Sequence, residues 1–323
     1  MKTNVVMDVS NLFRMSFHAH SKEQDDILLA MANKSFMDSI NKHARESKCD
    51  EVVLAFDGSR NWRKALTRRA ADEGNDDCVT FKKYKGQRRD KLTEKELEKL
   101  ERFDEHVVEF REMIREYTGL LVLHHERLEA DDLIGGFVSS RRNEKHLIIS
   151  ADRDYLQLMK FPGVTQLDPK TGKKLSLIDY DNDPEYFMFQ KCIRGDAGDN
   201  VMSAYPRIRE TKIKAAYEDD FERNNIMQHK FDVAYLHPKS GDALVKSFVT
   251  SEVFEENEML MDLTKQPEII QDMIQSAIEN ALATRGTYHM VKFLRYCNRM
   301  DFQHLIQNIQ NYNKLLKGPS LTV

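Results

Sequence analysis

Three short apolar runs in this chain each end in aspartate, and that repeat limits the possible folds more than any other feature. Val5-Val6-Met7-Asp8 is the first, Val52-Val53-Leu54-Ala55-Phe56-Asp57 the second, and His146-Leu147-Ile148-Ile149-Ser150-Ala151-Asp152-Arg153-Asp154 the third, with two Asp. Short continuous apolar runs separated by helical periodicity read as buried strands of a parallel α/β sheet. In such sheets the active site lies outside the carboxyl ends of the strands, so these aspartates are expected in one crevice. Glu129-Ala130-Asp131-Asp132 adds three carboxylates after the run Leu120-Leu121-Val122-Leu123, and Gly195-Asp196-Ala197-Gly198-Asp199-Asn200 adds two more. On a helix Glu129 and Asp132 share a face. Like charges this close favour either full solvation or a bound cation. Acids in a first turn also suit the helix dipole, so the cluster by itself leaves the structural and metal-binding readings open.

The chain has 323 residues with 41% hydrophobic content, enough for one large or two modest domains. Its 49 basic and 53 acidic residues give a net charge of −4. A nucleic-acid binder is more often basic overall, but the excess acid would be partly explained if several carboxylates faced metal rather than water, since two magnesium ions would cancel a charge of four. No apolar run approaches the ~18 residues needed to span a membrane. The first strand starts near Asn4, which leaves no room for a signal peptide. Cys49, Cys78, Cys192 and Cys297 lack paired spacing, so reduced cytoplasmic thiols without a zinc site are expected. His124 and His125 have no partner at metal spacing and read as surface or packing residues.

Strand one spans residues 4–9, with a loop over Asn11–Arg14; a helix follows over Asp25–Ser47, then strand 51–56. Between Arg60 and Lys91 eleven basic residues face five acids, a local balance of +6. This stretch reads as a solvated loop and helix or as an electrostatic guide for phosphates. An amphipathic helix spans Glu94–Tyr117, with Leu97, Leu100, Phe103, Val107, Phe110 and Ile114 on one face. Strands 120–123 and 146–150 enclose a helix over 129–140, in which Gly135-Gly136 permits close approach of another element. Val164–Leu167 and Leu175–Ile178 flank Pro169-Lys170-Thr171-Gly172 as a hairpin. The pattern turns helical near Asp179–Pro184, so the expected domains are 1–180 and 181–323. Helices are expected over 184–194, from Pro267, and over 301–316.

Taken in order, the motifs resemble the structure-specific 5′-nucleases, or flap endonucleases. That group includes the 5′→3′ exonuclease domain of bacterial DNA polymerase I and the phage enzymes called phage RNase H. Met7-Asp8-Val9-Ser10-Asn11-Leu12 looks like the family's opening strand, and Phe56-Asp57-Gly58 with Arg63-Lys64 like its second motif. Tyr84-Lys85-Gly86-Gln87-Arg88 is similar to the basic element of the helical arch, and the three later acidic motifs complete the set. The matches run from residue 5 to about 200, and the length and helical C-terminal part look most like the phage RNase H branch. One departure stands out. Val201-Met202-Ser203-Ala204-Tyr205-Pro206-Arg207-Ile208-Arg209 lacks the glycine pairs with which the family clamps duplex and binds potassium, so the resemblance does not extend to a potassium site.

The resemblance implies a PIN-like, mostly parallel twisted α/β sheet flanked by helices, a basic helical arch at about 80–105, and a helical C-terminal DNA-binding domain. It implies two Mg2+ ions, for which Mn2+ can substitute. Asp8, Asp57 and Glu129 would surround one ion; Asp152, Asp154, Asp196 and Asp199 would surround the other, many through water. Asp131 would bridge, with Asp132 in support. An all-oxygen donor set suits magnesium. Lys85 and Arg88 are expected on the scissile phosphate, and Arg14, Arg63, Lys64, Lys83, Tyr84 and Arg89 along the strand. Arg207, Arg209 and Lys212 would hold duplex or serve as solvated surface, two readings the residues leave open. The expected activity is hydrolysis of DNA and RNA–DNA hybrids from a 5′ end, removing primers by acting on forked, flapped or nicked substrates. The implied setting is a monomer in a bacterial or phage-infected cytoplasm, with a single-strand-binding protein and other replication proteins as candidate partners and no membrane. Two other readings compete: a PIN-type ribonuclease, which would be shorter and lack the basic arch, and a junction-binding protein without chemistry, which would have lost a metal carboxylate.

Overall fold

All three Asp-terminated runs are strands of a single sheet. The computed structural model describes residues 1–73, 78–87, 92–236 and 242–318. Arg88 and Arg89 lie outside the described residues. The strands β1 (Thr3–Asp8), β2 (Glu51–Phe56), β3 (Leu121–His124), β4 (Lys145–Ile149) and β5 (Val164–Leu167) pair in the order β3-β2-β1-β4-β5, every pair parallel. The winding direction reverses between β1 and β4, and that reversal opens a crevice outside the carboxyl ends. Val5, Val6, Met7, Val53, Leu54 and Ala55 are wholly buried, as continuous apolar runs covered on both faces should be.

By contact density the chain divides into two units. The first comprises Met1–Ser59, Leu92–Ser176 and Ile269–Val323, and holds the five-stranded sheet. Its core joins Phe13, Phe36, Phe103 and Phe110 with Phe293, Tyr296, Phe302 and Tyr312. The expected 181–323 domain is therefore corrected: Ile269–Val323 packs back onto the sheet-bearing unit because its aromatic faces complete that core. Arg285 reinforces the return, pairing with buried Glu51 and donating from Nε to the Gly119 carbonyl at 2.7 Å. Gly136 lies against the side chain of Ile274, so a Cβ there would collide with the helix Glu268–Ala283.

The second unit comprises Arg60–Lys91 and Leu177–Glu268. It holds the helices Trp62–Glu73, Pro184–Arg194, Glu210–Glu218, Asp220–Met227 and Thr250–Met261. It is not purely helical. β6 (Lys230–Leu236) and β7 (Ala243–Val249) form an antiparallel ribbon that the helical expectation overlooked, because Phe231 and Phe248 pack as a cross-strand aromatic pair.

Local differences have local causes. Val9–Ala19 is a helix where a loop was expected, because Asp8 caps it: Oδ1 accepts the Asn11 N–H at 2.9 Å. The expected hairpin is cut short: the chain turns back through one antiparallel bridge at Leu167–Lys174, with Leu175 N–H donating to the Gln166 carbonyl at 3.0 Å, and Ile178–Tyr180 is a 3₁₀ turn rather than a strand end. The expected helix over 301–316 divides into Gln303–Gln307 and Ile309–Leu316.

Candidate active site

Strand register gathers the carboxylates of the first unit. Met7 lies opposite Ile149, so Asp8 leaves β1 beside Ser150, the first residue after β4. Asp8 is buried; its Oδ2 accepts from the Ser150 hydroxyl at 3.2 Å and the Tyr155 hydroxyl at 3.0 Å. The Tyr155 hydroxyl also lies 2.7 Å from Asp131 Oδ1, so one phenol tethers carboxylates from two separate elements. Asp57, just past β2, receives the Ala130 N–H on Oδ1 at 2.9 Å, and its own N–H donates to the Ser10 hydroxyl at 2.9 Å. That contact places Asp57 at the amino end of the helix Ala130–Ser140, where the dipole favours an anion.

Glu129 and Asp132 form a capping box at that helix start, with Glu129 N–H donating to Asp132 Oδ2 at 3.0 Å. Asp132 is fully buried in this capping role, where it holds the backbone of Glu129. Asp152 caps the 3₁₀ helix Arg153–Lys160, accepting the Asp154 N–H on Oδ1 at 3.0 Å. Buried Gln166 donates to the carbonyls of Ser150 at 2.8 Å and Asp152 at 2.6 Å, fixing the chain between them.

The electrostatics express the crowding. Burial, and then the charges of Asp57 and Asp152, push the Asp8 carboxyl up to about 7, against the hydrogen bonds of Asn11 and Tyr155. Burial and the carboxylates of Asp131 and Asp8 push the Tyr155 phenol well above its usual range, so it remains a neutral donor. Among the described residues no three His, Cys, Asp or Glu side chains already close around a point as a metal cage. Instead they stand on hydrogen bonds to backbone and hydroxyl groups. Their chemistry nevertheless fits a hard divalent cation: the donors are carboxylate oxygens, and the buried one is starved of positive charge.

The second unit holds the remaining pair in a tight turn. Asp196 Oδ1 accepts the N–H groups of Gly198 at 2.8 Å and Asp199 at 3.1 Å, and Lys191 Nζ lies 3.3 Å from Oδ2. Burial alone would raise this carboxyl, but Lys191 and the two N–H groups outweigh it and hold it below its usual value. Asp199 Oδ2 accepts the Tyr84 hydroxyl at 2.8 Å and lies 3.6 Å from Lys85 Nζ. The backbone strengthens this link: Lys85 N–H donates to the Asp199 carbonyl at 2.8 Å, Gln87 Nε2 to the Ala197 carbonyl at 2.7 Å, and Asn200 Nδ2 to the Lys83 carbonyl at 2.9 Å. Lys85 adopts the left-handed conformation, φ 52°, which turns the chain sharply at this staple.

Two expected nucleic-acid residues are structural instead. Arg63 is 1% exposed; its Nε donates to the Leu260 carbonyl at 2.6 Å, at the end of the helix Thr250–Met261, and its guanidinium lies 4.6 Å from the Trp62 ring centre. Tyr84 is 6% exposed, with the Lys85 ammonium 4.9 Å from its ring centre, so the ring is covered rather than offered to a base. Arg14 pairs with Asp104 at 2.7 Å and Lys83 with Asp72 at 2.6 Å, both partly exposed. Lys64, Arg207, Arg209 and Lys212 are exposed; Arg209 directly precedes the helix Glu210–Glu218 without a side-chain capping bond, and Lys212 Nζ lies 3.1 Å from the Tyr205 hydroxyl. Tyr155, Ser150, Ser10 and Gln166 escaped the sequence reading. The available signals were a phenol directly after Asp154 and a lone glutamine in the strand Val164-Thr165-Gln166-Leu167.

A parallel sheet whose switch point carries carboxylates from several elements defines a class of acidic-crevice α/β domains. The chain belongs to the 5′-3′ exonuclease family: the profile of its N-terminal resolvase-like domain matches residues 3–187. Ribonuclease H of Enterobacteria phage T4 is 26% identical over 209 residues, covering 62% of this chain and 63% of that protein. The chain thus spans somewhat under two thirds of that relative's length. The fold is also that of the T5 D15 protein co-crystallized with metal ions, with a TM-score of 0.61 and 18% identity over 88% of this chain and 99% of that one. The T5 D15 flap endonuclease in a pseudo-enzyme–product complex with DNA and metal ions gives 0.61 and 17% over the same shares. T5 5′-exonuclease with bound zinc gives 0.56 and 18%, over 93% of this chain and 98% of that one.

Proposed function

We propose that this chain is a divalent-metal-dependent 5′-nuclease that hydrolyses DNA and RNA–DNA hybrids from a free 5′ end. The observation that carries the reading is the tethering of Asp8 and Asp131 to one hydroxyl, with the charges of Asp57 and Asp152 close enough to be felt at Asp8. Family membership and the DNA-bound flap endonuclease of the same fold support it. Asp8, Asp57 and Glu129 are the proposed holders of one Mg2+, and Asp152, Asp154, Asp196 and Asp199 of the other, with Asp131 shared between them. Divalent cations bound by such carboxylates supply an activated water and relieve charge at phosphorus.

The residues of the chain do the rest. Tyr155 and Ser150 orient Asp8, and the capping box fixes Glu129 at the start of its helix. Lys85 and Arg88 are assigned to the scissile phosphate, where fixed cations stabilise developing charge. Lys64, Lys83 and Arg89 guide the strand, while Arg207, Arg209 and Lys212 hold duplex. The proposed task is primer removal by a monomer during replication in a bacterial or phage-infected cytoplasm, beside a single-strand-binding protein.

A 5′-labelled RNA–DNA hybrid and a 5′-flap DNA, followed by product length, test the proposal. Short products should require Mg2+ or Mn2+, stop with chelator, and fall about 100-fold or more in Asp131→Asn. Tight binding without cleavage under any metal would replace the nuclease reading with the junction-binding one.

A further inference from the structure

Tyr155 belongs to no carboxylate motif, yet it occupies the centre of the acidic crevice. Its side chain is wholly buried on the 3₁₀ helix Arg153–Lys160, directly after Asp154. From there its hydroxyl reaches Asp8 Oδ2 at 3.0 Å, at the end of β1, and Asp131 Oδ1 at 2.7 Å, in the first turn of the helix Ala130–Ser140. Those two oxygens can be no farther apart than the sum of the two distances, although their residues lie 123 positions apart in sequence. A hydroxyl has one proton, so it donates to one carboxylate at a time while its lone pairs face the other. The hydroxyl therefore stands within hydrogen-bond distance of both carboxylates and can donate to either. That arrangement keeps one oxygen of each carboxylate beside the same hydroxyl, at a separation a shared cation could use.

We propose that Tyr155 is a positioning residue that presets the spacing of the Asp8 and Asp131 carboxylates for divalent-cation binding. The inference rests on the metal-dependent reading above and adds a residue to it. Tyr155 acts through the two carboxylates, as groups behind metal ligands orient them and tune affinity. Ser150 assists from the β4 side, its hydroxyl 3.2 Å from the same Asp8 oxygen, but it reaches only one of the two carboxylates.

The test is Mn2+ binding to the full chain without DNA, read by electron paramagnetic resonance of free Mn2+, for wild type, Tyr155→Phe, Asp131→Asn and the double variant. Tyr155→Phe keeps the buried ring and removes one oxygen, and its urea midpoint reports whether the fold is retained. The expected result is a dissociation constant raised about 10-fold in Tyr155→Phe, within the usual range for residues behind metal ligands. In the double variant the loss should be smaller than the product of the single losses. In cleavage assays kcat at low Mn2+ should fall and recover as Mn2+ rises, while KM for DNA stays put. Equal Mn2+ affinity in wild type and Tyr155→Phe would overturn the positioning role and leave the metal reading intact. Wild type binding Mn2+ no better than Asp131→Asn would overturn both. If Tyr155→Phe does not fold, 4-fluorophenylalanine at position 155, which fills the place of the hydroxyl without donating, decides: weakened Mn2+ binding supports the proposal and unchanged affinity overturns it.

Discussion

Arg63 and Lys64 are adjacent in sequence and carry the same charge, yet one is buried and the other exposed. Arg63 braces the end of the helix Thr250–Met261 through the Leu260 carbonyl and packs beside Trp62. Arg63→Ala should therefore cost about 2–4 kcal/mol of stability in urea unfolding, as loss of a large buried side chain and of its hydrogen bond to a carbonyl does. Lys64→Ala should leave that midpoint unchanged and weaken DNA binding in a salt-dependent way. The reverse pattern, with Arg63→Ala stable and defective only in binding, would return Arg63 to the nucleic-acid surface. The same lesson holds for Tyr84: an aromatic in a basic loop invites a base-stacking role, but its hydroxyl is on Asp199 and its ring is covered.

At the scale of elements, caps and buried polar groups decide where helices sit. Asp8 and Asp152 each end an apolar run and cap the helix that follows, so one residue both closes a strand and turns a carboxylate toward the crevice. The helix Glu94–Tyr117 packs His106 against Asn33 of the helix Asp25–Ser47, with His106 Nε2 and Asn33 Nδ2 2.7 Å apart. Burial lowers the His106 imidazole to about 4. Its folded pKa lies below the ordinary unfolded value of about 6.5, so between those limits the unfolded chain binds the extra proton. The stability this neutral histidine allows is intact above pH 6.5 and is lost as pH falls toward 4. One such proton changes the folding constant by up to about tenfold per pH unit. His124, lowered to about 4 by burial and then by Arg111, acts in the same direction. Urea midpoints at pH 7, 6 and 5 should fall in wild type and fall less steeply in His106→Gln; identical slopes would remove His106 from the acid sensitivity.

For the molecule as a whole, charge is distributed by region rather than by net count. The chain is acidic by four, while residues 60–91 carry a surplus of six positive charges. If exposed cations bind phosphates, the logarithm of the DNA association constant should fall linearly with the logarithm of salt concentration. Removing Arg209 and Lys212 together should lower the magnitude of that slope by about 1–2, as read by fluorescence anisotropy with an inactive variant such as Asp131→Asn. A slope unchanged by the double substitution would place the duplex elsewhere.

Much of this was legible in the sequence, because strands that end in Asp and helices with strong periodicity are written in neighbouring residues. β2 (Glu51–Phe56) and the helices Asp25–Ser47, Glu94–Tyr117 and Pro184–Arg194 stand where the pattern places them, and the ordered acidic motifs pointed to the 5′-nuclease family. The rest depends on what lies across space from each residue. The sequence does not tell buried Arg63 from exposed Lys64, because burial depends on the helix Thr250–Met261, about two hundred residues away. Nor does it show that the segment from Ile269 returns to the first unit, since an amphipathic helix displays an apolar face without naming the core that receives it. The bridge from Tyr155 to Asp8 and Asp131 exists only because sheet register and helix caps bring three distant turns to one point. Local pattern settled the elements and their class; tertiary packing decided which polar groups brace the fold and which carboxylates come together at the ends of the strands.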